Sequence, residues 1–259
     1  MKLVATAVLL ACLAVLTVCG GGSTSSINPN GQVSGNWQIA LQRAPKSSKT
    51  LSGFILQLSD SVTGGLMLSG SCAGVGSATG TMTGQNISLD ATVTGQALNL
   101  GGTVSSDGST MTGTYTILAS GCGNSETGTW SATRVKPLSG SFHGTLTSTR
   151  PSGIISDVSG MITQGPNGGQ SSAVLSGAIT STDSPCFSSA TLSGIISGTT
   201  VVLTITAADG SALGQFFSLT TTTNGTSLTG KYSFLSQLQL PPGTPCRSGD
   251  AGTLSITLP

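Results

Sequence analysis

Most of the landmarks between Cys72 and Trp130 return in the same order between Cys186 and Leu254, so the chain reads as one unit written twice. Gly80, Met82 and Gly84 correspond to Gly194, Ile196 and Gly198, and the alternating run Ile87, Leu89, Ala91 corresponds to Val201, Leu203, Ile205. The turn and strand from Asp107-Gly108 to Met111, Gly113 and Tyr115 recur as Asn224-Gly225 to Leu228, Gly230 and Tyr232. Cys122 answers to Cys246, and Gly128-Thr129-Trp130 to Gly252-Thr253-Leu254. Each copy spans roughly 105 to 125 residues, enough to bury its own core.

The repeated unit is all-β. Glycine is abundant (38 residues), charged residues make up only 7%, and Glu126 is the only glutamate, so strong helix formers are scarce. Apolar residues alternate at the two-residue period of a half-buried strand, beginning with Val33 to Leu41. Further strands are expected near 52–59, 65–71, 78–84, 86–93, 97–105, 110–119 and 127–135, and then near 138–147, 155–163, 171–180, 189–197, 199–208, 214–223, 227–238 and 251–258. The expected fold is two tandem antiparallel meander barrels or sandwiches of about eight strands each, a first β domain over 33–136 and a second over 137–259. Lys136-Pro137 is the joint, short enough that the two units should touch. Asp107-Gly108 reads as a hairpin turn with positive φ at both central residues.

The N-terminus reads as an export signal over 1–18, with Lys2 as its positive region and Leu3 to Val18 as its apolar region. Cys19-Gly20-Gly21 follows, and 20–32 is a polar tether rich in Gly, Ser and Asn. This stretch resembles a bacterial lipoprotein signal, which implies acylation of Cys19, a membrane attachment through the lipid, and placement at the cell envelope, in particular the outer membrane. Leu9-Leu10-Ala11-Cys12 fits the same pattern, which leaves Cys12 as the other candidate. In an oxidising compartment the remaining cysteines fall two to each repeat, which predicts Cys72 with Cys122 and Cys186 with Cys246. Each bridge would close a loop of roughly 50 to 60 residues, worth on the order of 2 to 4 kcal/mol.

Gly35-Asn36-Trp37 on the first strand, with Trp130 and Arg134 on the last, resembles the calycin group of barrels, the lipocalins and avidins. Gly113-Thr114-Tyr115-Thr116 is similar to an avidin-type strand. The resemblance implies that Arg134 packs over Trp37 and closes the barrel where its first and last strands pair. The second half carries Phe142 for Trp37 and Leu254 for Trp130, with no arginine after it. The whole chain is also similar to Gly/Ser/Thr-rich bacterial lipoproteins.

The chemistry-bearing residues are few. His143 is the only histidine, alternation turns it outward as it does Gln38, and no C-x-x-C spacing occurs, so no metal site and no cofactor are expected. There is no G-x-S-x-G, H-E-x-x-H or P-loop, and the expectation is a chain with no catalytic residues, not an enzyme. A formal charge of +1 gives no footprint for nucleic acid. Arg43 to Thr50 reads as an exposed loop. Arg43, Lys46 and Lys49 share the long-loop end of the first unit with Glu126, either as solvated charges or as a rim that meets an anionic partner or lipid headgroup. Three functions fit: a binding or interaction module for a small ligand or envelope partner, a structural or adhesive envelope protein, and a transmembrane barrel of about sixteen strands.

Overall fold

The computed structural model describes residues 33–43, 47–70, 72–119, 123–149, 152–167, 171–184, 187–208, 212–236 and 251–259. Within them the chain forms two closed antiparallel barrels of eight strands each, in simple meander order. The first comprises β1 (Gly35–Arg43), β2 (Ser47–Leu58), β3 (Ser61–Leu68), β4 (Gly74–Thr83), β5 (Asn86–Val93), β6 (Gln96–Val104), β7 (Thr110–Ile117) and β8 (Glu126–Val135). The second comprises β9 (Gly140–Thr149), β10 (Ser152–Asn167), β11 (Ala173–Thr180), β12 (Ser189–Ser197), β13 (Thr200–Ala207), β14 (Ala212–Thr221), β15 (Ser227–Ser236) and β16 (Ala251–Thr257). Closure comes from β1 pairing with β8 and β16 pairing with β9.

Alternation dictates which residues fill each barrel. Along β5, Ile87, Leu89, Ala91 and Val93 are buried while Asn86, Ser88, Asp90 and Thr92 face outward. Trp37, Ile39, Leu41, Leu51, Leu66 and Leu100 are among the fully buried side chains of the first interior. Phe216, Phe234 and Tyr232 pack edge to face in the second. Each such side chain contributes about 1.5 to 3 kcal/mol on leaving water. With apolar residues inside and Ser and Thr outside, the pattern is the reverse of a lipid-facing barrel. The single spanning barrel of about sixteen strands is thereby replaced by two filled ones.

The closed end of each barrel is built alike. Gly35 and Gly140 both take φ +146. The amide of Val33 donates to Gln57 Oε1 at 2.9 Å, and that of Leu138 to Gln164 Oε1 at 3.0 Å. Ser34 and Ser139 hydroxyls accept the amides of Gln57 and Gln164, each at 2.9 Å. The Arg134 guanidinium lies 5.1 Å from the centre of the Trp37 ring, as the calycin resemblance implies. In the second barrel Leu258 stands beside Gly140 as Arg134 stands beside Gly35.

Two local expectations are corrected. At Asp107-Gly108 only Gly108 has positive φ, at +67, and its amide donates to Ser105 O, so the turn lies inside a five-residue loop. Asp107 serves instead as an acceptor for Ser105 Oγ, Ser109 N and Ser109 Oγ. The basic segment after Arg43 is also not a long loop, because β2 begins at Ser47 and Lys49 is a strand residue opposite Leu41.

Beyond Lys136-Pro137 the barrels touch, as the short joint requires. The β12–β13 turn of the second barrel presses on the outer face of β1 and β2. Asn36, only 1% exposed, donates from Nδ2 to Gly198 O at 2.7 Å and accepts from Gly198 N at 2.6 Å. Gln38 Oε1 accepts from Thr199 N at 3.0 Å and from Thr199 Oγ1 at 3.1 Å. Ser52 and Ser197 share a hydroxyl hydrogen bond of 2.9 Å, and Phe54 packs against the core of the second barrel.

Candidate functional site

Strand direction in a meander places the β1–β2, β3–β4, β5–β6 and β7–β8 connections at one end of the first barrel, opposite the joint. At this mouth the inward row of β1 ends in Arg43, that of β2 begins with Lys49, and that of β8 begins with Glu126. These three predicted rim residues come together. Glu126 Oε2 accepts from Lys49 Nζ at 2.8 Å and lies 3.9 Å from Arg43 Nη1. Tyr115 Oη donates to Glu126 Oε1 at 2.5 Å. Lys46 lies outside the described residues.

The cluster is not a rim of freely solvated charges. The Glu126 side chain is 6% exposed, Lys49 26% and Arg43 51%. Burial pushes the Glu126 carboxyl up, but hydrogen bonds from Lys49 and Tyr115 and the charges of Lys49 and Arg43 outweigh it and hold the group below the usual carboxylate range. Burial, and then the hydrogen bond to Glu126, push the Tyr115 phenol well above its ordinary value. Two cations share one carboxylate, which leaves a net positive charge at the mouth. Arg43 and Glu126 border a cleft of about 430 Å³, completed by Gln42, Ser125, Thr127 and Thr129.

Close by, the β5–β6 turn holds Thr94 at φ +51, an uncommon conformation for a β-branched residue, and its hydroxyl donates to Cys72 O at 3.3 Å. Cys72 is buried and disulfide-bonded. Its expected partner Cys122 lies outside the described residues, as do Cys186, Cys246, the export signal over 1–18, Cys12, Cys19 and the tether over 20–32.

In the second barrel the two cations of the cluster are replaced at their register positions, while Asp250, the repeat counterpart of Glu126, lies outside the described residues. Register places Ser148 and Ser156 where Arg43 and Lys49 stand in the first, and both are buried hydroxyls. Tyr232 keeps the place of Tyr115. His143 is exposed, as alternation requires, and lines a shallow outer groove of about 410 Å³ with Asp157, Ser159, Thr180 and Ser181. Among the described residues no group of three metal-ligating side chains gathers.

The sequence marks Arg43, Lys49 and Glu126 as a group but shows Tyr115 only as a strand residue of the repeat, because a strand pattern does not show what a side chain's hydroxyl meets. Alternation turns Gln38 outward, but the grip that Asn36 and Gln38 have on the second barrel has no local signature.

Fold and site together define a calycin-like pair of closed barrels, the first with a charged mouth. No family model matches the chain, and no curated protein matches it. Among solved structures, kievitone hydratase from Nectria haematococca is similar over 88% of this chain and 90% of its own, with 10% identity and a TM-score of 0.23. That neighbour is an enzyme, so the expectation of a non-enzymatic chain is withdrawn; at this TM-score the likeness carries no activity or mechanism across.

Proposed function

We propose that this is an exported envelope protein, lipid-anchored through Cys19, whose first barrel binds an anionic group of a small ligand or envelope partner at the Arg43–Lys49–Glu126 mouth. The observation that carries the reading is the shared carboxylate: Glu126 neutralises one cation, and Arg43 keeps most of its guanidinium free of Glu126, half exposed, beside a cleft of ligand size. An arginine presented this way suits a phosphate or carboxylate. Lys49, held at 2.8 Å by Glu126, fixes the carboxylate and thereby the mouth. Disulfides Cys72–Cys122 and Cys186–Cys246 would staple the loops over each mouth.

A structural or adhesive role is the second reading, favoured by the densely filled interiors, in which Trp37, Ile39, Leu41 and Phe216 are fully buried. Native mass spectrometry of the mature protein, extracted gently from its own envelope under non-reducing conditions, separates the two. A reproducible added mass that disappears in Arg43→Ala supports the binding module. A wild-type mass showing only the lipid, or an adduct retained in Arg43→Ala, overturns it.

A further inference from the structure

The contact between the barrels uses a socket and a plug, and the repeat supplies a second copy of each. In the first barrel the socket is Asn36, Gln38, Ser52 and Phe54 on the outer face of β1 and β2. The register of β9 with β10 places Ser141, His143, Ser159 and Met161 at the corresponding positions of the second barrel, since Gln38 faces Ser52 as His143 faces Ser159, and Asn36 faces Phe54 as Ser141 faces Met161. All four are exposed, Met161 at 59%, and the groove along His143 and Ser159 is open.

The plug is Ser197-Gly198-Thr199 between β12 and β13. Its counterpart is Thr83-Gly84-Gln85 between β4 and β5. Gly198 and Gly84 have nearly the same φ, +56 and +60, so the turns share their backbone form. At Gly198 an added Cβ would lie 2.3 Å from Gln38 Oε1 and 2.6 Å from Ser52 Cβ, whereas at Gly84 nothing lies within 4 Å. One plug is seated, and the other is exposed.

We propose that the occupant of the second-barrel socket is the Thr83–Gln85 turn of a second copy of this chain. The association is head to tail, heterologous, and repeats between molecules the operation that relates the two barrels within one. Each added copy brings a fresh socket and plug, so assembly continues until a ring closes or a filament forms. His143 would accept or donate to the incoming turn where Gln38 accepts from Thr199, and Met161 would take the place of Phe54 as the apolar contact. Without the covalent joint the intermolecular contact is weaker than the internal one, since the tether that sets the effective concentration is gone.

Sedimentation equilibrium of the full chain, across the micromolar to millimolar range, reads the association. The wild type should show a concentration-dependent mass rising past the dimer. Thr83→Arg disables the plug and Ser159→Arg the socket; both positions are exposed, and circular dichroism confirms that each variant folds. Each should weaken self-association at least about tenfold, the effect of an unpaired charge at a close contact. Mixed, the two variants should form a 1:1 dimer that grows no further, because one supplies an intact socket and the other an intact plug. A wild type that stays monomeric, association unchanged by either variant, or a mixture that stays monomeric overturns the proposal.

Discussion

Replacing Gly198 by alanine, with Gly84→Ala as its internal control, isolates the contact between the barrels. Both glycines occupy the left-handed region at nearly equal φ, so alanine at either costs about 1 to 2 kcal/mol of backbone strain. At Gly84 of an unassociated chain, at protein concentrations too low for self-association, that is the whole effect, because the space around it is empty. At Gly198 the new methyl would lie 2.6 Å from Ser52 Cβ, far inside the 3.5 to 4.0 Å of an ordinary carbon contact. The turn must back away, which costs about 1 to 3 kcal/mol of overpacking, and it strains the Asn36 and Gln38 hydrogen bonds, each worth about 0.5 to 1.5 kcal/mol. Gly198→Ala should therefore exceed Gly84→Ala by about 1 to 4 kcal/mol. Urea unfolding of the full chain by circular dichroism measures both. Equal losses for the two variants, within about 0.5 kcal/mol, would show that the turn does not bear on the first barrel.

Other outcomes follow from single groups. Glu126 has a folded pKa below its ordinary 4.5, so its contribution is present above that value and is lost as pH falls through the folded pKa; Glu126→Gln should flatten the acid limb of the stability profile seen in pH-dependent urea melts. Asp107, lowered to about 2 by hydrogen bonds from Ser105 and Ser109, gives up its contribution between pH 3.8 and about 2. Carbon-detected NMR titration of the folded protein should find the Asp107 midpoint at about 2, and Asp107→Asn should remove that step. Arg134→Ala should lose about 1 to 2 kcal/mol of cation–π and stem packing in thermal melts, and Arg134→Leu less, because Leu258 fills the corresponding place in the second barrel.

Strand count, alternation and tandem order were legible in the sequence because a two-residue period and a duplicated set of glycines leave few alternatives. Trp37 and Arg134 could be paired in advance because a resemblance supplied the contact. Other features depended on partners distant in the chain. Lys49 looked like part of a loop because a lysine rarely faces a barrel interior, and what permits it is Glu126, a single residue 77 positions away. Asp107-Gly108 suggested a two-residue turn from its dipeptide alone, while the side chains of Ser105 and Ser109 stabilise a longer one. Asn36 is marked in the sequence only as the middle residue of Gly35-Asn36-Trp37; its partner Gly198 lies 162 residues on, and no period in the sequence encodes that contact. Gln57 and Gln164, which cap the entering amides of both barrels, were the most readable of the missed residues, since each follows its Val-Ser-Gly or Leu-Ser-Gly by a similar interval.

The charged mouth of the first barrel is tested most directly by an NMR titration of the labelled mature protein with inorganic phosphate, following backbone amides together with arginine and lysine side-chain signals. Saturable shifts at Arg43, Ser125 and Glu126, with Ser148 and Ser156 unmoved, are the predicted result. Signals that fail to move at Arg43, or that move equally at Ser148 and Ser156 of the second barrel, would contradict it.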